Sequence, residues 1–320
     1  MPTSEAIRKE LVSLLEDFEE WLERPDLRSK VLRLVDGFHL IRDLGKSLMP
    51  DSDELSGRDR ILAYLLKYPH RVIKGDELMV VSGIQEYARR IRELRVQFGW
   101  QVLSGLTISE MVGDEEASEV QGAENLGDMG PDDYILLSEN QDRDAAHRWR
   151  IANEIRKMGG SMRGRLLAYL KKNVGTAVSG EELKYVARGQ SWPRRVRELR
   201  TEHGWSVKTR NAGRPDLNVG FYLLEADRQS PGHDRGIPDV VRMTVLERDH
   251  FACRKCGWTI ADRHPSDPRA LIELHHVRWH VAGGSSEDPD NLLTLCNLHH
   301  DEVHRKKLDT SEKIDSWLKR

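Results

Sequence analysis

Cys253-Arg-Lys-Cys256, taken with Asn291-Leu-Leu-Thr-Leu-Cys296-Asn-Leu-His299-His300-Asp-Glu-Val-His304, decides the reading of this 320-residue chain. All three cysteines of the sequence fall inside it. A closed tetrahedral zinc site needs two short knuckles, each giving two soft ligands from one tight turn, and Cys253, Cys256, Cys296 and His299 supply that set. Three incidental buried thiols are the plainer alternative. The odd cysteine count and a charged N-terminus without an apolar signal segment disfavour disulfides and point to a cytoplasmic protein.

A second set of ligands stands apart from the first. His300 and His304 are four residues apart in a segment that reads as helix, so both imidazoles face one side at ligand distance. Upstream, Leu271-Ile-Glu-Leu274 reads as a strand ending in His275-His276. Adjacent strand residues point to opposite faces, so this pair converges on one ion only if the strand bends or ends there.

These residues resemble the HNH (ββα-metal) nuclease family. The resemblance rests on Glu273-Leu-His275-His276-Val, Gly283-Gly284, Asn291 to Cys296 and His299-His300-Asp-Glu-Val-His304, and covers roughly residues 240–310. It implies a C-terminal ββα-metal domain with a structural zinc that hydrolyses DNA phosphodiester bonds. It assigns His276 as the general base, whose ordinary pKa suits work at cellular pH. His275, His300 and His304 would hold one divalent ion, and Asn291 would fix the His276 segment by a hydrogen bond. The fourth zinc ligand, more often a cysteine in such relatives, is here His299, an exchange zinc accepts. For catalysis Mg2+, Mn2+, Co2+, Ni2+ or Zn2+ would serve, and three imidazoles favour a borderline metal over Mg2+. His250, His264 and His280 have no place in the pattern and read as surface or packing residues.

Outward from this region the chain repeats itself. Arg60-Ile-Leu-Ala-Tyr-Leu65 matches Arg165-Leu-Leu-Ala-Tyr-Leu170, and Gly75-Asp-Glu-Leu78 matches Gly180-Glu-Glu-Leu183. Arg89-Arg-Ile-Arg-Glu-Leu-Arg95 matches Arg194-Arg-Val-Arg-Glu-Leu-Arg200, and Gly99-Trp100 matches Gly204-Trp205, all at one offset of 105 residues. A long unit found twice is a duplicated domain rather than a solenoid. Each copy reads as helix, short helix, longer basic helix, then a Gly-Trp step into strands. In the second copy those strands lie around Trp205–Val207 and Gly220–Leu224, joined by Lys208 to Asp216. That order resembles a winged helix, a helix-turn-helix unit with a β-hairpin wing, whose long helix would enter the major groove.

Charge divides along the same lines. The whole chain carries −3, which taken alone argues against a nucleic-acid partner. Residues 144–228, however, hold 18 Lys+Arg against 9 Asp+Glu, and residues 56–110 hold 9 against 6. The acid sits elsewhere: residues 111–133 carry eight carboxylates and no base, and residues 1–55 carry 13 acids against 8 bases. Basic charge concentrated on the second repeat is the footprint of a phosphate-contacting surface. The candidate DNA-binding residues are Arg89, Arg90 and Arg92 in the first copy, and Arg194, Arg195 and Arg197 at the start of the second basic helix. Lys208, Arg210 and Arg214 would lie on the wing. A solvated face of Arg–Glu pairs is the bland alternative for any one of them. Tyr87 and Trp192, each before a basic helix, read as hydrophobic staples or as one wall of a pocket for a modified base.

The expected architecture is therefore α+β and multidomain. A helical hairpin (1–55) packs on the protein or dimerises, and a first winged helix (56–142) carries the acidic insertion 111–133. Next come a linker helix and second winged helix (143–230), then the HNH domain (231–320), entered through the hinge Gln229 to Pro238. The layout resembles that of restriction endonucleases, modification-dependent ones included. Double-stranded DNA is the expected partner, no membrane is, and a homodimer through the hairpin would bring two cutting sites to one duplex. The alternatives are a mobile-element or homing-type nuclease and a zinc-bearing, non-catalytic transcription regulator.

Overall fold

Side-chain caps set the first helices. Thr3 opens α1 (Ser4–Leu22), Asp26 opens α2 (Leu27–Ser47) and Ser56 opens α3 (Gly57–Lys67), each accepting from a backbone N–H two or three residues on. The computed structural model describes residues 2–50, 54–112, 126–264, 266–278, 284–308 and 310–319. Residues 113–125, the centre of the acidic stretch, lie outside these, as do His280 and Gly283. The architecture is α+β. The chain divides into two compact units, Met1–Leu106 with Asp128–His147, and Thr107–Gly127 with Arg148–Arg320. Among the described residues no helix is long and apolar enough to cross a membrane.

In the first unit α1 and α2 pair antiparallel, with Ser4 Oγ donating to the Ser47 carbonyl at 3.2 Å. Ile7 and Leu14 are buried, whereas Leu15, Leu22, Val31, Phe38 and Ile41 remain exposed. After α3 come β1 (Val72–Ile73), α4 (Gly75–Ser82), α5 (Tyr87–Val96), β2 (Val102–Ser104) and β3 (Tyr134–Leu136), while α6 (Gly105–Met111), between β2 and β3 in the chain, belongs from Thr107 on to the second unit. The sheet is antiparallel with β3 between β1 and β2. Ile61, Leu65, Leu78, Ile91, Leu94 and Leu136 fill the space between helices and sheet. Helix α6 stands where sequence reading expects a wing.

The second unit repeats the plan and extends it. It contains most of α7 (Ala145–Lys157), then α8 (Met162–Lys172), β4 (Ala177–Ser179), α9 (Gly180–Ala187), α10 (Trp192–Thr201), β5 (Trp205–Lys208) and β6 (Phe221–Gln229). Here too the last strand is central, in the order β4-β6-β5. Beyond it lie α11 (Asp239–Arg248), the antiparallel pair β7 (Ile272–His276) and β8 (Leu292–Cys296), α12 (Asn297–Lys306) and α13 (Ser311–Leu318). Their core gathers Val245, Leu246, Trp258, Leu274, Leu295, Val303, Ile314 and Trp317 around Cys253 and Cys296.

The duplicated motif residues do the same structural work in both copies. Arg60 donates to the carbonyls of Val81 and Ser82 at 3.2 and 2.6 Å, and Arg165 to those of Val186 and Ala187 at 3.2 and 2.6 Å. Each guanidinium thereby satisfies C-terminal carbonyls of the short helix that have no intrahelical partner. Tyr64 donates to Glu77 and Tyr169 to Glu182, both at 2.7 Å, and the same glutamates accept from the N-cap backbone N–H of Lys74 and Ser179, which in α9 completes a capping box with the Ser179 hydroxyl. Gly75 and Gly180 are small because the aromatic of the next helix lies against them. A Cβ there would stand 2.4 Å from Tyr87 Oη and 3.0 Å from Trp192 Cη2.

Candidate metal centre

Helix α12 serves two clusters because neighbours on a helix are about 100° apart, so His299 and His300 diverge while His300 and His304 share a face. His299 turns to the cysteines. Its Nδ1 lies 3.4 Å from Cys253 Sγ and 3.3 Å from Cys296 Sγ, and all four ligand atoms of Cys253, Cys256, Cys296 and His299 lie within 4.8 Å of one another. A tetrahedral zinc with usual bond lengths would set each S···N edge at about 3.5 Å. The donor set fits zinc in number, softness and spacing. The hydrogen bond between the two thiols pulls Cys253 down to about 4 and, with burial, pushes Cys296 up.

The second cluster joins His275, His300 and His304 with a residue that sequence reading passed over, Asp234, again within 4.8 Å. His300 Nε2 and His304 Nε2 lie 2.9 and 2.8 Å from Asp234 Oδ2, and His275 Nδ1 lies 3.4 Å from it. The two helix imidazoles are 3.3 Å apart. Usual metal–nitrogen and metal–oxygen lengths give ligand edges of about 3.4 Å. Three imidazoles and a carboxylate suit Zn2+, Co2+, Ni2+ or Mn2+ better than Mg2+. Among the described residues the buried His275 Nε2 meets no hydrogen-bond partner, and the imidazole is held by its other nitrogen. Burial pushes Asp234 up, but hydrogen bonds from His275, His276, His300 and His304 outweigh it and hold the carboxyl far below its usual range. Burial lowers His275. It works against His300 too, where the Asp234 hydrogen bond and the Glu273 charge prevail and raise the imidazole.

His276 ends β7 and does not join the ligand set. It is fully buried, its N–H donating to Asp234 Oδ1 at 3.0 Å, its Nδ1 3.2 Å from the same oxygen and its Nε2 3.0 Å from Ser286 Oγ. One carboxylate thus spans both members of the His275-His276 pair. Asn291 pins the chain just past His276: its Oδ1 accepts from Arg278 N at 2.8 Å, and its Nδ2 donates to the carbonyls of Arg278 and Ser285 at 3.1 Å each. Gly284 is required by this closure, since a Cβ would lie 1.9 Å from the Arg278 carbonyl oxygen. Behind His300, Glu273 Oε2 sits 3.3 Å from Nδ1, and Arg228 from β6 grips both Glu273 and Asp301.

The expected DNA-contacting cations are placed unevenly. Arg194 and Arg195 both pair with Glu198, and Arg89 and Arg90 with Glu93, leaving these guanidinia on the surface side of their helices. Arg92 and Arg210 are exposed and Arg197 is half-buried. The wing expectation needs correction. Lys208 is 5% exposed and faces Glu225 at 3.9 Å, because it ends β5 on the inward side of the sheet. Burial pushes its ammonium down, against the pull of Glu225. Arg214 is tied to Asp216 and Glu225 at 2.8 and 3.3 Å. Trp192 is also unavailable to a modified base, being fully buried with Nε1 donating to Glu110 at 2.8 Å.

Residues 58–137 and 163–225 match the KpnI N-terminal domain. That is a domain of a restriction-enzyme family, and the match points to a restriction-type DNA endonuclease. The matched segments coincide with the two repeats and stop short of both metal clusters. No curated protein and no solved structure matches the chain.

Proposed function

We propose that the protein is a metal-dependent DNA endonuclease of restriction type, in which two winged helices choose the site and an HNH centre cuts it. The observation that carries the reading is the coexistence, in one short ββα segment, of a closed Cys3His set and a separate imidazole cluster. A module needing only structural zinc has no use for the second. A bound divalent ion would offset the charge that builds on the scissile phosphate and the leaving oxygen. His275, His300 and His304 would hold that ion, and Glu273 would orient the His300 ring. His276 would take the proton from the attacking water, and Asn291 would keep the His276 segment closed.

The order helix, strand, helix, helix, strand, strand in the second repeat, and the same order with α6 inserted before the last strand in the first, each with the last strand central, supports the winged-helix reading, with α5 and α10 as the groove helices. Arg89, Arg90, Arg92, Arg194, Arg195, Arg197 and Arg210 are the cations proposed to meet DNA. The apolar face left exposed on α1 and α2 is consistent with a homodimer that brings two cutting sites to one duplex. The test is cleavage of methylated and unmethylated plasmid with Mg2+, Mn2+, Co2+ or Ni2+. Metal-dependent cutting is expected, and the plasmid that is cut tells whether modification is required or blocks the enzyme. Sequence-specific binding without cutting of either plasmid would leave the regulator reading instead.

A further inference from the structure

Asp234 belongs to no strand of the sheets and to neither α11 nor α12. It ends a single 3-10 turn, Gly232–Asp234, in the segment that joins β6 to α11. Yet its carboxylate meets four histidines. One oxygen meets His275, His300 and His304 at 3.4, 2.9 and 2.8 Å, and the other meets the backbone and ring of His276 at 3.0 and 3.2 Å. These distances put the first oxygen at the fourth corner of the imidazole cluster. Four protein ligands make a closed site, whereas a hydrolytic centre keeps a position open for substrate. The same side chain also occupies the proposed base, whose other ring nitrogen is taken by Ser286.

We infer that Asp234 is a plug carried by the interdomain segment: it completes the ligand set and caps His276 in the DNA-free protein, and a phosphodiester oxygen displaces it when DNA binds. The inference rests on the nuclease reading above. A phosphodiester presents the same chemistry as the carboxylate, an anionic oxygen able to bridge an ion and a nearby donor. The plug is also hung from the helix proposed to meet DNA. Gly236 N donates to the carbonyl of Thr201, the last residue of α10, at 2.8 Å, and Ser230 N donates to the Gly204 carbonyl at 2.7 Å. Arg200, also on α10, is paired with Asp239 just beyond the turn. Gly236 stands at φ 81°, where a side chain would be strained, between Pro231 and Pro238. A shift of α10 on entering a groove therefore pulls directly on the segment that carries Asp234.

The test uses the full-length protein with its cysteine site filled by zinc, titrated with Co2+ and monitored by visible absorption, for the wild type, Asp234→Ala and His304→Ala. The wild type should show the strong bands of a four-coordinate ion. Asp234→Ala should bind Co2+ about 10- to 100-fold more weakly, the range for carboxylates that support a metal site, with the weaker bands of higher coordination. Adding a phosphorothioate-protected duplex to the cobalt-loaded wild type should shift its four-coordinate bands as a phosphate oxygen takes the place of the carboxylate. This second readout stands even if the variant fails to fold. Identical spectra and affinities for wild type and Asp234→Ala, or bound duplex with no spectral change, would overturn the plug while leaving the centre intact. No second Co2+ in the wild type, and none lost in His304→Ala, would overturn the nuclease centre itself, and the plug with it.

Discussion

Replacing Arg228 by alanine should cost both stability and the alignment of the metal cluster. The guanidinium lies 3.2 Å from Glu273 and 2.5 Å from Asp301, so it ties β6 to β7 and α12. Glu273 is 5% exposed, and removing the partner of a fully buried charge costs about 3–5 kcal/mol. Arg228 is itself 31% exposed and water would enter the gap, while the more exposed Asp301 pair adds at most about 1 kcal/mol. About 2–3 kcal/mol is the resulting expectation. At about 2–4 °C per kcal/mol for units of 150–250 residues, the second unit should melt about 4–12 °C lower. Glu273 also lies 3.3 Å from His300 Nδ1, so cleavage should fall about 10- to 100-fold as the ring loses its orientation. Calorimetry on Arg228→Ala, Glu273→Gln and the double variant checks the assignment, because neutralising Glu273 should recover part of the loss and make the pair non-additive. A melting shift below about 1 °C, or strict additivity, would refute it.

Two further outcomes are expected from contacts elsewhere in the second unit. Cys256→Ser, or exhaustive chelation, should strip zinc and unfold the C-terminal core. Structural zinc contributes about 10–16 kcal/mol, as much as a whole domain's stability of about 5–15 kcal/mol. Metal content and the fluorescence of Trp258 and Trp317, which border the cluster, report it, and full zinc retention with unchanged fluorescence would contradict it. Asp239 supplies the pH test. Burial raises its carboxyl, but the Arg200 charge outweighs this and holds it below the usual value. A depressed folded pKa adds stability that is present above the unfolded value of about 3.9 and is lost as pH falls through the folded one. Asp239→Asn should therefore flatten the acid limb of the stability curve below about pH 4, and parallel limbs would contradict the pairing.

Local spacing is the part of this molecule that could be read from its sequence. Cys253-x2-Cys256, Cys296-x2-His299 and the four-residue step from His300 to His304 put ligands on one turn or one helix face whatever lies between them. The repeat was legible for the same reason, since Arg60 and Arg165 reach carbonyls fixed by one helix length. Asp234 was not legible. Its partners are 41 to 70 residues away, and its surroundings of proline and glycine read as hinge. Glu273 was visible beside the histidine pair, but its grip on Arg228 depends on how β6 meets β7. Lys208 misled because a cation at a strand end looks exposed until the Glu225 facing it is seen.

The most direct measurement is conversion of supercoiled plasmid by wild type, His276→Ala and His300→Ala, side by side, each with its zinc content and melting temperature determined. Metal-dependent nicking or linearisation by the wild type is expected, with loss of cutting in both variants while zinc and fold are retained. Equal cutting by His300→Ala, or no cutting by a folded, zinc-loaded, DNA-bound wild type with any of the four metals, would contradict that expectation.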